Sequence, residues 1–195
     1  MALGGIVRGK LTSLRTPVEG DLAAYSRWMA DLRVRRASAI WHEPAMPATW
    51  KDRLKEQAKE QRVVLWSIEA DGRLVGLARA RLGSLEGPPA AQLQHFVVDP
   101  DEWRKGYGWD AALALHRYFF DYLDLKRSGI ELRADNAAAL RIAERLGYTE
   151  FGRGHDAHYR DGTYVDESWL LMQRATWDER FAMSEREYVP FQAAR

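Results

Sequence analysis

The stretch Trp103-Arg-Lys-Gly-Tyr-Gly-Trp-Asp-Ala111 lies between a predicted strand and a predicted helix, and it decides the fold. Its two glycines, Gly106 and Gly108, let the backbone turn N–H groups toward an anion. The helix that follows directs the positive end of its dipole at the same point, and Arg104 and Lys105 add positive charge. The stretch therefore predicts a binding loop for a pyrophosphate or another polyphosphate group.

A dinucleotide-binding fingerprint is the alternative interpretation of the same residues. Gly106, Gly108 and Ala111 satisfy the pattern G-x-G-x-x-G/A, and Glu131 lies twenty positions further on as a nominal ribose ligand. In that fingerprint the strand runs almost directly into the first glycine. Here residues 99–105, most of them charged, intervene. We therefore interpret the match as accidental.

Length and composition are those of one globular domain. The chain has 195 residues, of which 46% are hydrophobic and 29% charged. A folded chain of this size buries roughly 70% of its unfolded surface. We predict a single domain over residues 1–175 and a C-terminal extension over residues 176–195, where charges are mixed with isolated aromatic residues.

Charge, cysteine content and hydropathy exclude several classes of function. The net charge of +1 provides no positive field for a nucleic-acid backbone. The absence of cysteine excludes disulfides, thiol nucleophiles and cysteine-based zinc sites. No uncharged apolar run approaches the roughly 18 residues of a membrane span, and the first residues lack the apolar stretch of a signal peptide. We predict a cytoplasmic protein whose partners include neither nucleic acid nor membrane.

The order of elements predicts an α+β fold. Apolar periodicity and turn signals give the order β, α, α, β, β, β, α, β, α, β, β. Asp71-Gly72 predicts a hairpin turn, Asn136 a helix N-cap and Gly147 a left-handed helix end. Asp110, in the first turn of the helix after the glycine loop, is predicted to interact with the helix dipole.

Two linked motifs resemble a known family. The run W-R-K-G-Y-G-W-D-A is similar to motif A of the GNAT superfamily of acetyl-CoA-dependent N-acetyltransferases, and in particular to W-G-K-G-Y-G-T-E-A of its ribosomal-protein N-terminal acetyltransferase-like branch. Asn136-Ala-Ala-Ala-Leu-Arg-Ile-Ala-Glu-Arg-Leu-Gly-Tyr148 resembles that branch's N-x-x-S-x-x-x-x-E-K-L-G-F, and Asp161-Gly162 with Asp166 resembles its G-x-x-x-D. The resemblance covers residues 92–172. It implies a mixed, twisted central sheet with helices on both faces.

The resemblance also implies a co-substrate, acetyl-CoA. Backbone N–H groups of residues 104–108 would hold its pyrophosphate, Asn136 would contact its pantetheine arm, and residues 96–98 would pair with that arm like an added strand. Trp109 stands where relatives have a small residue; it would pack on the helix flank or shield the pyrophosphate. The implied coenzyme contacts are Phe96, Val97, Val98, Arg104, Lys105, Gly106, Tyr107, Gly108, Trp109 and Asn136.

The chemistry implied is direct attack of a neutral amine on the thioester, with no covalent enzyme intermediate. The backbone N–H of Val98 would stabilise the tetrahedral oxyanion. The side chains that relatives use for proton transfer are absent. The usual tyrosine acid aligns with Ala143, the serine of the ribosomal branch with Ala139, and the usual glutamate base with Gln92.

His95 and Asp166 are the remaining catalytic candidates. His95 lies in the strand beside the expected thioester, although strand alternation turns it away from Gln94 and Phe96. Asp166 and Glu167 alternate across the last strand, so one of them faces inward. Asp166 is the better candidate, either for holding an ammonium or for orienting the loop, because it matches the family motif.

Two histidines near the end of the chain raise the question of a metal. His155 and His158, with Asp156, suggest a metal pair, but they fall in a predicted loop between the closing strands. We interpret them as part of a solvated loop and predict no metal site.

The acceptor is predicted to contact the N-terminal half. An irregular stretch after the first helix holds Trp41, His42 and Glu43, and Trp28 adds to an aromatic cluster with Trp50. The acceptor amine is predicted to belong to a small molecule such as an antibiotic, an amino acid or a polyamine. The alternatives are a protein N-terminal amine and an acyl-CoA-binding module without turnover. A homodimer is an open alternative to a monomer.

Overall fold

The computed structural model describes residues 6–38, 47–59, 62–83 and 90–181. In these ranges eight strands form one sheet, in the order β1-β2-β3-β4-β5-β6-β8-β7. Neighbouring strands are antiparallel except β5 and β6, which are parallel and are joined through a helix. The strands are β1 (Val7–Arg8), β2 (Ser13–Arg15), β3 (Val63–Ala70), β4 (Arg73–Leu82), β5 (Ala90–Val98), β6 (Arg127–Arg133), β7 (Thr149–Arg160) and β8 (Thr163–Gln173).

Helices cover both faces of the sheet, which confirms the predicted α+β architecture. One face, here called the α4 face, carries α4 (Tyr107–Arg117), α5 (Ala137–Leu146) and α6 (Arg174–Arg180). The opposite face, here called the α1 face, carries α1 (Leu22–Ala30), α2 (Leu32–Ala37) and α3 (Pro47–Lys59).

Each face has its own apolar cluster. Trp66 and Phe119 are fully buried on the α4 face, and Tyr25 and Leu77 on the α1 face. Full burial of a leucine or phenylalanine side chain stabilises a fold by about 2 kcal/mol. The predicted turn residues also behave as expected: Asn136 Oδ1 accepts from the Ala139 N–H at 3.1 Å and caps α5.

The closing hairpin is longer than the sequence predicts. β7 and β8 pair from Thr149 to Gln173, so His155 and His158 lie in a strand rather than in a solvated loop. His155 is exposed, whereas His158 is buried at 7% exposure. The strand escapes prediction because two irregularities in its pairing break the apolar alternation.

The C-terminal boundary predicted at residue 175 cuts through a helix that belongs to the core. Trp177 of α6 is fully buried, its ring lies 5.5 Å from that of Phe120, and its Nε1–H donates to Asp121 at 2.8 Å. The described chain thus continues in the domain to Phe181, and residues 182–195 lie outside the described ranges.

A single carboxylate binds the N-terminal hairpin to α4. Asp110 accepts from the backbone N–H groups of Lys10, Leu11 and Thr12 at 2.8, 3.0 and 2.8 Å, and from the Thr12 hydroxyl at 2.7 Å. A Cβ at Gly9 would lie 2.0 Å from an Asp110 oxygen, so glycine is required there. The sequence-based role for Asp110 as a dipole partner misses this tertiary function.

We expect Asp110→Ala to lower the free energy of unfolding by about 3 kcal/mol, because several part-buried or buried donors lose their acceptor together. Urea unfolding measures the change. The exposed Glu179→Ala serves as control and is expected to change stability by no more than about 0.5 kcal/mol. Equal stability losses in the two variants would contradict this role.

A buried series of hydrogen bonds connects α4, β6 and the start of β7. His116 Nδ1 lies 2.7 Å from the Ala112 carbonyl oxygen, and its Nε2 lies 2.7 Å from the Tyr148 hydroxyl, which is 2.6 Å from Ser128 Oγ. A carbonyl oxygen only accepts, so Nδ1 carries the proton and the neutral ring accepts at Nε2. Burial accordingly lowers the pKa of His116 to about 4.

This pKa predicts an acid-sensitive contribution to stability. The unfolded histidine takes up a proton below its ordinary pKa of about 6.5, whereas folded His116 resists protonation down to about 4. The contribution is therefore fully present above pH 6.5 and is lost as the pH falls to 4. Between pH 7 and pH 4.5 we expect the free energy of unfolding, measured in urea, to fall by roughly 2 kcal/mol more for wild type than for His116→Gln. Parallel stability curves for the two proteins would contradict this.

Candidate active site

The sheet opens where its two parallel strands separate. β5 and β6 pair from Ala90↔Arg127 to Leu93↔Ile130 and then diverge. A cleft of about 1130 Å³ lies beyond the last pair, bordered by the two strands, the N-terminal end of α4, α5, and residues of α2 and β7–β8. This gap passes through the sheet and connects its two faces.

A bulge in β5 determines which side chains face which side. Arg79 pairs with His95 and Ala80 with Leu93, so Gln94 is the extra residue. Phe96 and Val98 consequently pack against the cluster of the α4 face. Val97 joins the α1 face, and His95, two residues earlier in the strand, faces the same way.

Two residues of β5 present their backbone to the gap. The Asp99 N–H donates to the Val75 carbonyl of β4 at 2.8 Å. Hydrogen-bonding direction alternates along an antiparallel ladder, so Val97 also pairs with β4. The N–H and C=O groups of Phe96 and Val98 therefore point into the gap, where Trp103 Nε1–H donates to the Val98 carbonyl at 2.8 Å.

The glycine loop lies at the open end of the gap. Arg104 and Gly106 both have positive φ, at 67° and 87°, and α4 begins at the next residue, Tyr107. The first N–H groups of a helix have no partner within it. A Cβ at Gly108 would lie 3.6 Å from Ile142 and 3.8 Å from Val98, so this position faces the gap.

Three arginines give this end of the cleft its positive charge. Arg104, Arg141 and Arg145 line it, and the guanidinium carbon of Arg145 lies 3.7 Å from the ring centre of Trp109. Sequence reasoning missed Arg141 and Arg145, although their spacing of four residues on α5 places them on one helix face. Lys105 does not line the cleft; its Nζ donates to Glu102 at 2.7 Å.

Asn136 joins two walls of the cleft. Besides capping α5, its Nδ2 donates to the Ala37 carbonyl at the end of α2 at 2.6 Å. Val34, Ala37 and Ser38 form the α2 side of the cleft. Trp41, His42 and Glu43, predicted to contact the acceptor, follow this helix and lie outside the described residues.

Carboxylates and histidines line the α1 face of the cleft. Gln92 Nε2–H donates to Glu131 Oε1 at 2.9 Å, across the closed end of the gap. His158 Nε2 lies 3.0 Å from Glu167 Oε1. Together with His95, these groups surround the place where the gap opens on this face.

Of the two roles considered for Asp166, the contacts fit orientation of the chain around it and not a position in the cleft. Glu167 lines the cleft, whereas Asp166 is absent from the described lining residues. Asp166 accepts from the Asp156 N–H at 3.1 Å and lies 3.2 Å from His155 Nδ1. The backbone hydrogen bond from Asp156 lowers the pKa of Asp166. Asp166 thus fixes the irregular part of β7.

The predicted aromatic wall is also corrected. Trp28 is 1% exposed and Trp50 is 5% exposed, and both pack around Tyr25 in the cluster of the α1 face. Neither is among the described residues that line the cleft. Both tryptophans therefore belong to the core and not to a substrate-binding surface.

Two features are absent from the described ranges. No group of three or more histidine, aspartate or glutamate side chains there could hold a metal ion. No helix of the same ranges has the length and apolar character needed to cross a membrane.

Solved structures share this fold. Spermidine N-acetyltransferase from Vibrio cholerae, in complex with CoA and spermine, is 18% identical with a TM-score of 0.76, over 86% of this chain and 98% of that chain. RimL, a ribosomal alpha-N-protein acetyltransferase in complex with CoA, is 18% identical with a TM-score of 0.74, over 86% and 97%. Mycobacterium smegmatis RimJ is 19% identical with a TM-score of 0.74, over 93% and 92%.

A family model, described as acetyltransferase (GNAT) domain, matches residues 12–149. The match includes the glycine loop, both strands of the gap and all of α5. Because it spans well over half of the sequence, the chain belongs to the GNAT acetyltransferase family.

Proposed function

We propose that the protein transfers the acetyl group of acetyl-CoA to a primary amine by direct attack of the amine on the thioester. The observation that carries the proposal is the gap between β5 and β6, with an outward strand edge on one wall and the glycine loop at its mouth. A ligand with a charged end and an amide-containing arm fits this combination.

The residues present fit coenzyme A. Its pyrophosphate would accept from the backbone N–H groups of residues 104–108, near the N-terminal end of α4 and the positive charges of Arg104, Arg141 and Arg145. The two amides of pantetheine would lie along the edge of β5 at Phe96 and Val98, like an added strand, beside the Trp103 Nε1–H that donates to the Val98 carbonyl. Trp109 lies under Arg145 and forms part of the same wall.

The reaction needs a neutral amine, an oxyanion donor and a proton for the leaving group. The amine lone pair forms the new C–N bond and the carbonyl oxygen takes negative charge. The C–S bond then breaks, and the N–H proton that the attacking amine loses passes to the departing thiolate. The N–H groups of Val98 and Phe96 both face the gap, and the one nearer the carbonyl stabilises the oxyanion. His95 borders the cleft and remains a candidate base.

The acceptor enters from the α1 face, since the coenzyme loop lies at the other side of the gap. Glu131 and Glu167 line this entrance and favour an acceptor that arrives as a cation. A polyamine and a protein N-terminus both meet that condition, in keeping with the spermidine enzyme and RimL. We favour a small-molecule amine and keep the cytoplasmic location as a prediction from the sequence, with a homodimer as an open alternative to a monomer.

We expect Gly108→Asp to weaken coenzyme A binding at least about tenfold in calorimetry, because a carboxylate would enter the gap beside the pyrophosphate. Gly108→Ala is the matched control. Its Cβ would make only ordinary contacts at 3.6 and 3.8 Å, so its affinity is expected to stay near that of wild type. A folded aspartate variant that binds as tightly as wild type would refute the placement.

Amine-dependent release of free thiol from acetyl-CoA tests the activity itself. At pH 7.4 an amine with a pKa of about 10.4 is roughly 0.1% neutral, and an α-amine with a pKa of about 7.8 is roughly 30% neutral. We therefore expect a short peptide with a free N-terminus to react faster than a lysine-like amine, with a narrower difference at pH 9.5. Equal rates at pH 7.4 would contradict this expectation. Tight coenzyme A binding without thiol release from any amine would instead favour the acyl-CoA-binding module.

A further inference from the structure

An exposed indole lies on the α1 face of the sheet, beside the acceptor entrance. Trp169 of β8 is 39% exposed. Its neighbour Leu170 belongs to the cluster of the α4 face, so alternation along β8 turns Trp169 to the opposite face, together with Glu167. Trp169 pairs directly with Glu131 of β6, the strand that borders the gap. A large aromatic side chain is therefore open to a ligand next to the cleft.

The indole occupies space above β7 that contains no side chain. Gly152 pairs with Trp169, and a Cβ at that position would lie 2.7 Å from the Cε3 atom of the ring. A Cβ at Gly154 would lie 3.6 Å from Cζ2, on the opposite side of the six-membered ring. Neither glycine has a positive φ, so the backbone conformation does not require glycine there. At residue 152 it is the ring that requires it.

The ring is fixed at its polar edge and flanked by carboxylates. Trp169 Nε1–H donates to Glu167 Oε2 at 3.2 Å, and His158 Nε2 lies 3.0 Å from the other oxygen of that carboxylate. Glu131 lies across the strand pair from Trp169. An indole that is already oriented and has two carboxylates beside it favours a cationic ligand.

The arginines of this face do not neutralise the two carboxylates. Arg133, two residues beyond Glu131 in β6, is paired with Asp135 and is 2% exposed. The arginines of β4 lie beyond β5, on the other side of the gap. Among the residues that the structure describes, no lysine or arginine forms an ion pair with Glu131 or Glu167. The surface around the indole thus stays negative.

The spacing of the strands sets the distance from the gap to the indole. Neighbouring strands lie about 4.8 Å apart, so β7, over which the ring lies, is about 10 Å from β6 at the edge of the gap. Each bond of an extended alkyl chain adds about 1.3 Å, so an eight-carbon diamine spans about 11 Å between its nitrogens. Spermidine has the same number of bonds between its terminal nitrogens. A three-carbon diamine spans only about 5 Å.

We propose that Trp169, together with Glu131 and Glu167, binds a second cationic group of the acceptor, so that the acceptor is a long diamine or polyamine. This inference rests on the proposed acetyltransferase function and names the acceptor class of that site. One amine reaches the gap and is acetylated. The other remains an ammonium and lies against the indole, and the aliphatic chain between them crosses β6 and β8.

The first test uses wild type and two series of acceptors at pH 8, where an ammonium with a pKa near 10.4 is still charged. One series contains straight-chain diamines of three to eight carbons, and the other the amino alcohols of equal length, which carry a neutral hydroxyl in place of the second amine. Thiol release from acetyl-CoA is the measurement. We expect kcat/KM to be about tenfold higher for 1,8-diaminooctane than for 8-amino-1-octanol, and the advantage to vanish at three carbons.

The second test changes the indole. Trp169→Leu keeps an apolar side chain but removes the aromatic ring, and is expected to lower kcat/KM for 1,8-diaminooctane about tenfold while 8-amino-1-octanol changes by less than about twofold. Trp169→Phe is expected to restore part of the loss. Coenzyme A affinity in calorimetry is expected to stay the same in both variants. Tyr122→Leu, which removes an exposed aromatic ring next to α4, is the matched control and is expected to leave the diamine preference intact.

The outcomes separate this inference from the function on which it rests. Equal kcat/KM values for diamines and amino alcohols at every length would overturn the second-cation site and leave the acetyltransferase standing. So would a diamine preference that survives in Trp169→Leu, or a loss in that variant that is equal for both series.

Failure of wild type to release thiol with any amine would overturn the proposed function. Calorimetry on the complex with coenzyme A then decides the second-cation site by itself. Binding of 1,8-diaminooctane about tenfold tighter than that of 8-amino-1-octanol would support it, and equal affinities would overturn it.

Discussion

The constraint on which the rest of the structure depends is the separation of two parallel strands after only four paired positions. A strand edge inside a sheet normally finds a partner, since unpaired backbone groups are costly away from water. Here β5 keeps β4 on one side and leaves Phe96 and Val98 without a strand on the other. The same separation connects the α4 face with the α1 face. Two molecules bound on opposite faces of the sheet can therefore meet and react in the gap.

The coenzyme end of this site could be predicted from the sequence because its signals are local. Each signal is encoded within a few residues: the positive φ of Gly106, the start of α4 directly after it, the cap at Asn136 and the left-handed helix end at Gly147. Arg141 and Arg145 were missed because arginines on a helix are ordinarily solvent-facing. Only the fold brings α5 alongside the gap.

The acceptor end could be predicted only in part, because one of its walls depends on irregular pairing. Glu167 lies opposite Arg133 because β8 pairs with β6 without any shift, and the family motif rather than strand alternation favoured Asp166. In β5, by contrast, one extra residue at Gln94 reverses the alternation. A shift of one residue moves a side chain to the other face, and nothing in the residue types announces it. The prediction for Trp28 was wrong for a different reason: apolar residues at helical spacing are typical of a buried helix face as well as of a binding surface.

The contact between Asp110 and Lys10 joins residues 100 positions apart, and this separation has a consequence for biosynthesis. Ribosomes add about 5 to 20 residues per second, so the turn near the N-terminus exists for roughly 5 to 20 s before its carboxylate partner is made. Throughout that interval the N–H groups of residues 10–12 lack this acceptor. They reach their final environment only once α4 has been made, so the hairpin can dock only after Asp110 has emerged from the ribosome.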